Sequence, residues 1–273
     1  MAELPEIYKY GKQMNDTLKG KKIADFYLLQ EKCSNVSEAE FKKRVAGASV
    51  ERVYNKGKWI LTTLDNKETI LLSLGMGADV LYYENADSLP EKYQVRMHFT
   101  DGSGYTIRFW WFGKYLLVPE YELSDEPNTK DIGVDPFDEK FTPDYFKNLL
   151  RGKKTGVKAF LMNQKNVSGI GNMYMHDILF MARLHPAKKI SAMKDGDIDS
   201  LYAAITGLLK KSYEMGTFAY ESDIFGKKGS YGMDNFLVGY KEGKPCPVCG
   251  ELIIQIKAGS SSTFICPKCQ KAD

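Results

Sequence analysis

The sequence predicts an α+β chain: an amino-terminal β-sandwich with flanking helices, then a helical domain, then a small four-cysteine zinc finger. Three observations carry this prediction. Aromatic and β-branched runs broken by turn signals fill the first part of the chain, helical spacing of apolar residues takes over in the second, and two Cys-x-x-Cys pairs lie near the end. A length of 273 residues, with 43% hydrophobic and 27% charged, allows one or two ordinary cores and excludes a disordered chain. No apolar run approaches the length of a bilayer-spanning helix, so no membrane partner is expected.

At the amino end, the spacing of Leu4, Ile7, Tyr8, Gly11, Met14 and Leu18 predicts a helix, with Glu3 at or just before its start. The helix dipole favours negative charge there, and Glu3 and Glu6 both meet that preference. The opening "MAELPEIYKY" has neither a positively charged start nor an apolar run of leader length, so a cytoplasmic protein is expected, nucleoid-associated in a bacterium. Removal of Met1 would make Ala2 the terminal amine with a carboxylate beside it. An amine next to a general acid is a possible active site.

Four β-like runs follow: "RVYNKGKWILTTLD", "ETILLSLGM", "YQVRMHFTD" and "GYTIRFWWFGKYLLV", with Asp101-Gly102 as a turn signal between the last two. In the last run Trp110 and Trp111 alternate along a strand, which would send one of them into the core. The stretch "PEYELSDEPNTKDIGVDPF" is polar, holds three prolines and has no clear period, which marks a boundary. Helical spacing then runs through "TPDYFKNLLRG", "GVKAFLMNQ", "GNMYMHDILFMARLH" and "DIDSLYAAITGLLKKSYEMG", while "YESDIFGKKGSYGMDN" reads as a long mobile loop. The predicted organisation is a β-sandwich catalytic domain over 1–125, a linker over 126–136, a helical domain with its loop over 137–240 and a zinc finger over 241–273.

Charge is uneven. The formal net charge is +3, yet residues 151–273 hold 18 Lys and Arg against 11 Asp and Glu, so the basic excess sits in the second half and points to a polyanion partner. Cys246 and Cys249 form one knuckle and Cys266 and Cys269 another, with 16 residues between them that read as a β-hairpin. Four thiolates complete a tetrahedral shell for one structural Zn²⁺ and leave no open coordination position, so this metal is not the catalyst. Cys33 stands alone as a small hydrophobe. His98, His176 and His185 lack metal-ligand spacing, and His176 reads as a partly exposed packing residue. Asp195, Asp197 and Asp199 lack the closing Glu of a calcium loop and read as caps for the helix that follows.

Between two helical runs lies Gly169-Ile170-Gly171-Asn172. Such a turn lets backbone N–H groups at a helix start approach a phosphate, with the Asn172 amide as an additional donor; an ordinary tight turn has the same pattern.

Taken together, "ELPEI", "NKGKWIL", "LGM", "WFGKYLL", the block "KAFLMNQKNVSGIGNMYMHDILFMARLHP" and the final knuckles resemble, in order and over nearly the whole chain, the formamidopyrimidine-DNA glycosylase and endonuclease VIII family. The resemblance implies a helix-two-turn-helix domain in the second half. It implies a base-excision repair enzyme that flips a damaged nucleotide from double-stranded DNA, breaks its glycosidic bond and nicks the strand as an apurinic/apyrimidinic lyase. The implied partners are damaged bases and abasic sites in duplex DNA, met as a monomer. In the family pattern a proline after the initiator Met attacks the sugar C1′, and a glutamate follows it. Ala2 and Glu3 stand in those places. Lys58 matches the lysine that binds the flipped nucleotide's phosphate and assists proton transfer, and Gly171 and Asn172 match the phosphate-binding turn. Met76 and Phe112 match two apolar void fillers, and Asp177 falls where a glutamate is usual.

Three departures accompany the match. Ala2 replaces proline, but a terminal primary amine has a pKa of ~8 and can form a Schiff base. Ser261 stands where the family's zinc hairpin carries an arginine, with Lys257 as a partial substitute of different geometry. Trp110-Trp111-Phe112-Gly113 replaces Arg-Arg-Phe-Gly, and a tryptophan there could stack on bases. The sequence therefore supports a glycosylase with lyase activity through the Ala2 amine. Two competing readings are a catalytically weak or inactive damaged-DNA-binding protein and a monofunctional glycosylase without the lyase step.

Overall fold

The structure, a computed structural model, describes residues 2–217, 219–259 and 261–272. The chain forms two compact units. The first runs to Asp131 and takes in Gly216–Ser230; the second comprises Ile132–Met215 and the residues from Tyr231 onward.

The first unit opens with helix α1 (Leu4–Leu18), whose buried face of Leu4, Ile7, Tyr10, Met14 and Leu18 follows the predicted spacing. Strand β1 (Ile23–Leu28) and helix α2 (Glu38–Val45) come next. Helix α2 is capped by Ser37, whose Oγ accepts from the Glu40 N–H at 3.3 Å. Only Phe41 and Val45 of α2 are buried, too few apolar positions to give a period in the sequence. The remaining strands are β2 (Val50–Lys56), β3 (Trp59–Leu64), β4 (Glu68–Ser73), β5 (Ala78–Tyr83), β6 (Val95–Phe99), β7 (Gly104–Phe109) and β8 (Lys114–Pro119). They make two four-stranded antiparallel sheets, in the orders β1-β6-β7-β5 and β2-β3-β4-β8. One apolar core is shared between them, as a sandwich requires. In it Phe26, Phe41 and Tyr115 stack, with Phe26 and Phe41 centroids 4.0 Å apart.

The run from Gly104 to Val118, which reads as one strand, is two. Strands β7 and β8 belong to different sheets, and residues 110–113 form the turn where the chain crosses. Neither tryptophan of that turn is in a strand, so their alternation in the sequence carries no facing information.

The segment Gly216–Ser230, which reads as a mobile loop, is tied to α1 and β5. Lys9 Nζ donates to the Gly216 carbonyl at 3.1 Å and pairs with Asp223 at 3.2 Å. Gln13 Nε2 donates to Asp223 at 3.0 Å, and the Tyr82 N–H donates to the Ile224 carbonyl at 2.7 Å. Ile224 is buried in the sandwich core. The polar composition fits a loop, but three anchors spaced along α1 and β5 hold it.

In the second unit, α3 (Pro143–Leu150), α4 (Val157–Met162), α5 (Asn172–Met181) and α6 (Asp195–Glu214) fall where helical spacing put them. Thr142 caps α3 by accepting from the Tyr145 N–H at 3.1 Å. Asp197 accepts from the Lys194 N–H at 2.9 Å, which is the capping role read for this acidic cluster. Helix α5 is buried on every side from Met173 to Phe180 and forms the centre of the unit. The knuckles flank a hairpin of β9 (Ile254–Ala258) and β10 (Ser261–Ile265).

Candidate active site

In the first unit the candidate catalytic groups gather at the start of α1. Glu3 is its N-cap in extended conformation, Pro5 follows within the first turn, and Ala2 and Glu3 are buried. The Glu3 N–H donates to Glu6 Oε2 at 3.0 Å, so Glu6 secures the helix start while also lying inside the acidic group. Lys58 occupies the tip of the β2–β3 hairpin, a two-residue turn between the paired Lys56 and Trp59. Gly57 begins that turn at φ +56°, a conformation open to glycine without strain. Burial lowers the Lys58 pKa, and Glu3 and Glu6 act in the opposite direction. A half-buried lysine and two buried carboxylates thus face one another around the residue that would carry the amine. The arrangement suits proton transfer, since the cation is made easier to deprotonate by burial and the acids sit beside it.

Two residues of this unit were not singled out in the sequence. Glu221 is 3% exposed, and its carboxyl lies within electrostatic reach of Glu3 and Tyr220. Tyr220 in turn lies 6.2 Å from the Trp110 ring. No local pattern marks either one, because what brings them to α1 is a contact between residues about 200 positions apart.

Above the sheets, two turns interlock. The Met76 N–H donates to the Trp111 carbonyl and the Trp110 N–H donates to the Gly77 carbonyl, each at 2.9 Å. Trp110 is half-buried against Gly77, with Nε1 donating to Asp79 at 3.2 Å. Met76, Trp111 and Phe112 project outward at 47%, 67% and 79% exposure. Phe112 also holds φ +57°, a left-handed backbone that costs a non-glycine residue roughly 1–2 kcal/mol. Phe112, held outward at such a cost beside the exposed Met76, is a candidate wedge.

In the second unit, Gln164 latches the glycine turn: its Oε1 accepts from the Gly169 N–H at 2.9 Å and its Nε2 donates to the Ile170 carbonyl at 2.8 Å. Gly171 is then the N-cap of α5, and Asn172 is the first helical residue. Asn172 reaches the zinc hairpin, accepting from Ser261 Oγ at 3.0 Å and donating to the Ser262 carbonyl at 3.3 Å. Lys257 does not stand beside Ser261. It pairs across the hairpin with Ser262, and the alternation of β10 puts Ser262 and Ser261 on opposite faces. The cation next to Ser261 is Lys158 of α4, whose Nζ donates to Ser261 Oγ at 2.9 Å, to the Ser261 carbonyl at 3.3 Å and to Thr263 Oγ1. Burial pulls the Lys158 pKa down to about 8, so it is charged at neutral pH and loses its proton readily above it. Its signal in the sequence was a lone cation in the apolar helix "VKAFLM".

His176 is fully buried rather than partly exposed, edge-on to Tyr240 and Phe264, and burial with nearby Lys158 pulls its pKa down to about 4. Asp177 is equally buried and accepts from the N–H groups of Leu237, Val238 and Gly239 at 2.6, 2.9 and 2.9 Å, which fixes that loop to α5. Cys246, Cys249, Cys266 and Cys269 bring their sulfurs within 4.8 Å of one another, with pairs at 3.5 and 3.9 Å. A tetrahedral shell with Zn–S of about 2.3 Å has sulfurs about 3.8 Å apart, so the four residues fit one structural Zn²⁺. Among the described residues no helix is long and apolar enough to cross a membrane.

Three domain families match. Residues 1–110 match the Formamidopyrimidine-DNA glycosylase N-terminal domain, residues 132–223 the Formamidopyrimidine-DNA glycosylase H2TH domain, and residues 243–272 the zinc finger found in FPG and IleRS. Similar proteins include the formamidopyrimidine-DNA glycosylases of Pelotomaculum thermopropionicum, 33% identical over 99% of both chains, and Rippkaea orientalis, 31% identical over 99% of this chain and 100% of that one. Among solved structures, Lactococcus lactis Fpg in complex with abasic-site DNA superposes with a TM-score of 0.88 at 25% identity, covering 99% of this chain and all of that one. The same enzyme with DNA containing N7-benzyl-Fapy-dG gives the same score, identity and coverage.

Proposed function

The chain belongs to the formamidopyrimidine-DNA glycosylase family, DNA glycosylases of base-excision repair, and from that premise we propose that it joins base removal to strand cleavage through a Schiff base on the Ala2 amine. The observation that carries this reading is the meeting of Glu3, Glu6 and Lys58 around Ala2 at the start of α1. With Met1, which lies outside the described residues, removed, the amine attacks C1′ of the flipped nucleotide as the glycosidic bond breaks. Glu3 then protonates O4′ as the sugar ring opens to the imine, and Lys58 holds the adjacent phosphate and handles the second proton.

Duplex DNA containing damaged bases or abasic sites is the proposed partner, in keeping with the DNA held by the Lactococcus lactis neighbours. Met76 and Phe112 would fill the space left by the flipped nucleotide, with Trp110 lining the site. Asn172, with the Gly171 turn, would take a phosphate, and Lys158, whose three donors serve Ser261 and Thr263, would add its positive charge there. Lys158 weakens the case for an inactive binder, because it supplies a cation beside Ser261 where the family arginine is missing. The test is a duplex with one formamidopyrimidine lesion, with strand scission followed with and without alkali. Scission without alkali is expected. Scission only after alkali would make the enzyme monofunctional, and lesion binding with no base release over long incubation would make it a binder.

A further inference from the structure

Several carboxylates surround the start of α1, and most have a structural partner. Glu6 accepts from the Glu3 N–H, Asp223 pairs with Lys9 and Gln13, and Asp79 takes Trp110 Nε1 at 3.2 Å and Arg108 at 3.7 Å. Glu3 has the sugar oxygen to serve in the reading above. Glu221 differs from these in position. It comes from the segment Gly216–Ser230, is 3% exposed, and is flanked by anchors: Tyr10 donates its hydroxyl to the neighbouring Ser222 carbonyl, and Lys9 and Gln13 hold Asp223. Its carboxyl feels the charge of Glu3 next to Ala2, and its own charge acts on Tyr10 within α1 and on Tyr220. A long-range contact therefore delivers one more acid to the amine end of the site.

We infer that Glu221 is a further catalytic residue of this enzyme, the base that takes the proton from the Ala2 ammonium before attack on C1′. This rests on the Schiff-base reading. In the step, an N–H bond of the ammonium breaks, an O–H bond forms on the Glu221 carboxylate, and the nitrogen lone pair left behind makes the N–C1′ bond. The need is specific to this chain's terminus: an amine of pKa ~8 is only about one-tenth neutral at pH 7. Burial raises the Glu221 carboxyl pKa, which narrows the gap in proton affinity between donor and acceptor. The groups facing this exchange are Glu3, Glu6 and Tyr10 from α1, Lys58 from the hairpin tip, Asp79 from β5, and Tyr220 and Asp223 from the same segment. Of these Lys58 is cationic, with its pKa lowered by burial, and Lys9, the cation of α1 that reaches this segment, is held by Asp223.

The experiment measures the rate of borohydride-trapped adduct on abasic duplex against pH for wild type, Glu221→Gln and Glu221→Asp. Binding to a duplex with a tetrahydrofuran abasic analogue serves as the check of folding. Glu221→Gln is expected to trap at least about tenfold more slowly at pH 7, to approach wild type above pH ~9 where the amine is neutral unaided, and to bind the analogue normally. Glu221→Asp, which keeps the acid, should recover part of the rate at pH 7. Wild-type trapping by Glu221→Gln at every pH, or a deficit in both variants that persists above pH ~9, overturns the inference and leaves the lyase reading intact. If wild type itself gives no adduct at any pH, the lyase reading falls and this inference with it.

Discussion

Lys158 standing beside Ser261 shows how much depends on single side chains that no motif marks. The serine gives up a guanidinium, and the nearest cation along the hairpin, Lys257, faces away, so the charge at that place comes from another helix. Its neighbour His176 pays no part in such contacts as a charged group, because burial keeps the ring neutral. The linkage has a definite sign. The unfolded chain binds a proton at this ring below its ordinary value of 6.5, whereas the folded ring resists until about 4, so stability falls as pH drops through that interval. Between pH 7 and pH 5, wild type should lose about 2 kcal/mol more than His176→Gln in urea unfolding. Equal losses would mean that the ring takes its proton without cost. At this scale the four cysteines and the Gly171-Asn172 helix start were legible because their spacing is local, while Ala2, Glu3 and Lys58 were marked out as a site by the family resemblance. Lys158 and Glu221 were not, since each gains its place through a partner about 100 or more residues away.

At the level of elements, the interlocked turns explain why strand periodicity failed between Gly104 and Val118. The chain leaves one sheet and joins the other within residues 110–113, and a crossing that tight needs special backbone. At Gly75 the backbone holds φ +58°, and an added Cβ would lie 2.2 Å from the Trp111 carbonyl, so only glycine lets the turns close. What the closure does is present Met76 and Phe112 outward. Phe112→Ala should reduce lesion cleavage by roughly 5- to 150-fold, the range for one base-stacking contact of about 1–3 kcal/mol, while stability changes by no more than about 0.5 kcal/mol. Unchanged cleavage would place the wedge elsewhere; a large loss of stability would make Phe112 structural. The helices of the second unit were easier to read, because α3 and α6 carry full turns of apolar spacing with caps that act within one turn, and α5 is an apolar run of helical length.

Across the whole molecule, fold and chemistry are joined by two features of different visibility. The zinc knuckles and the basic second half are explicit in the sequence, and the four sulfurs gather as that spacing implies. The return of Gly216–Ser230 to the first unit is hidden, because Lys9, Gln13 and Tyr82 find their partners across most of the chain's length. That return is also what sets Glu221 near the amino-terminal group, so the catalytic side of the account depends on it. The central claim is that the Ala2 amine is the nucleophile. Intact-mass measurement followed by peptide mapping, after borohydride treatment of the zinc-loaded protein with an abasic duplex, tests it most directly. A chain lacking Met1 with one sugar-linked adduct on the peptide that begins at Ala2 is expected. An adduct on a lysine instead, or none on protein that has lost Met1, would contradict it.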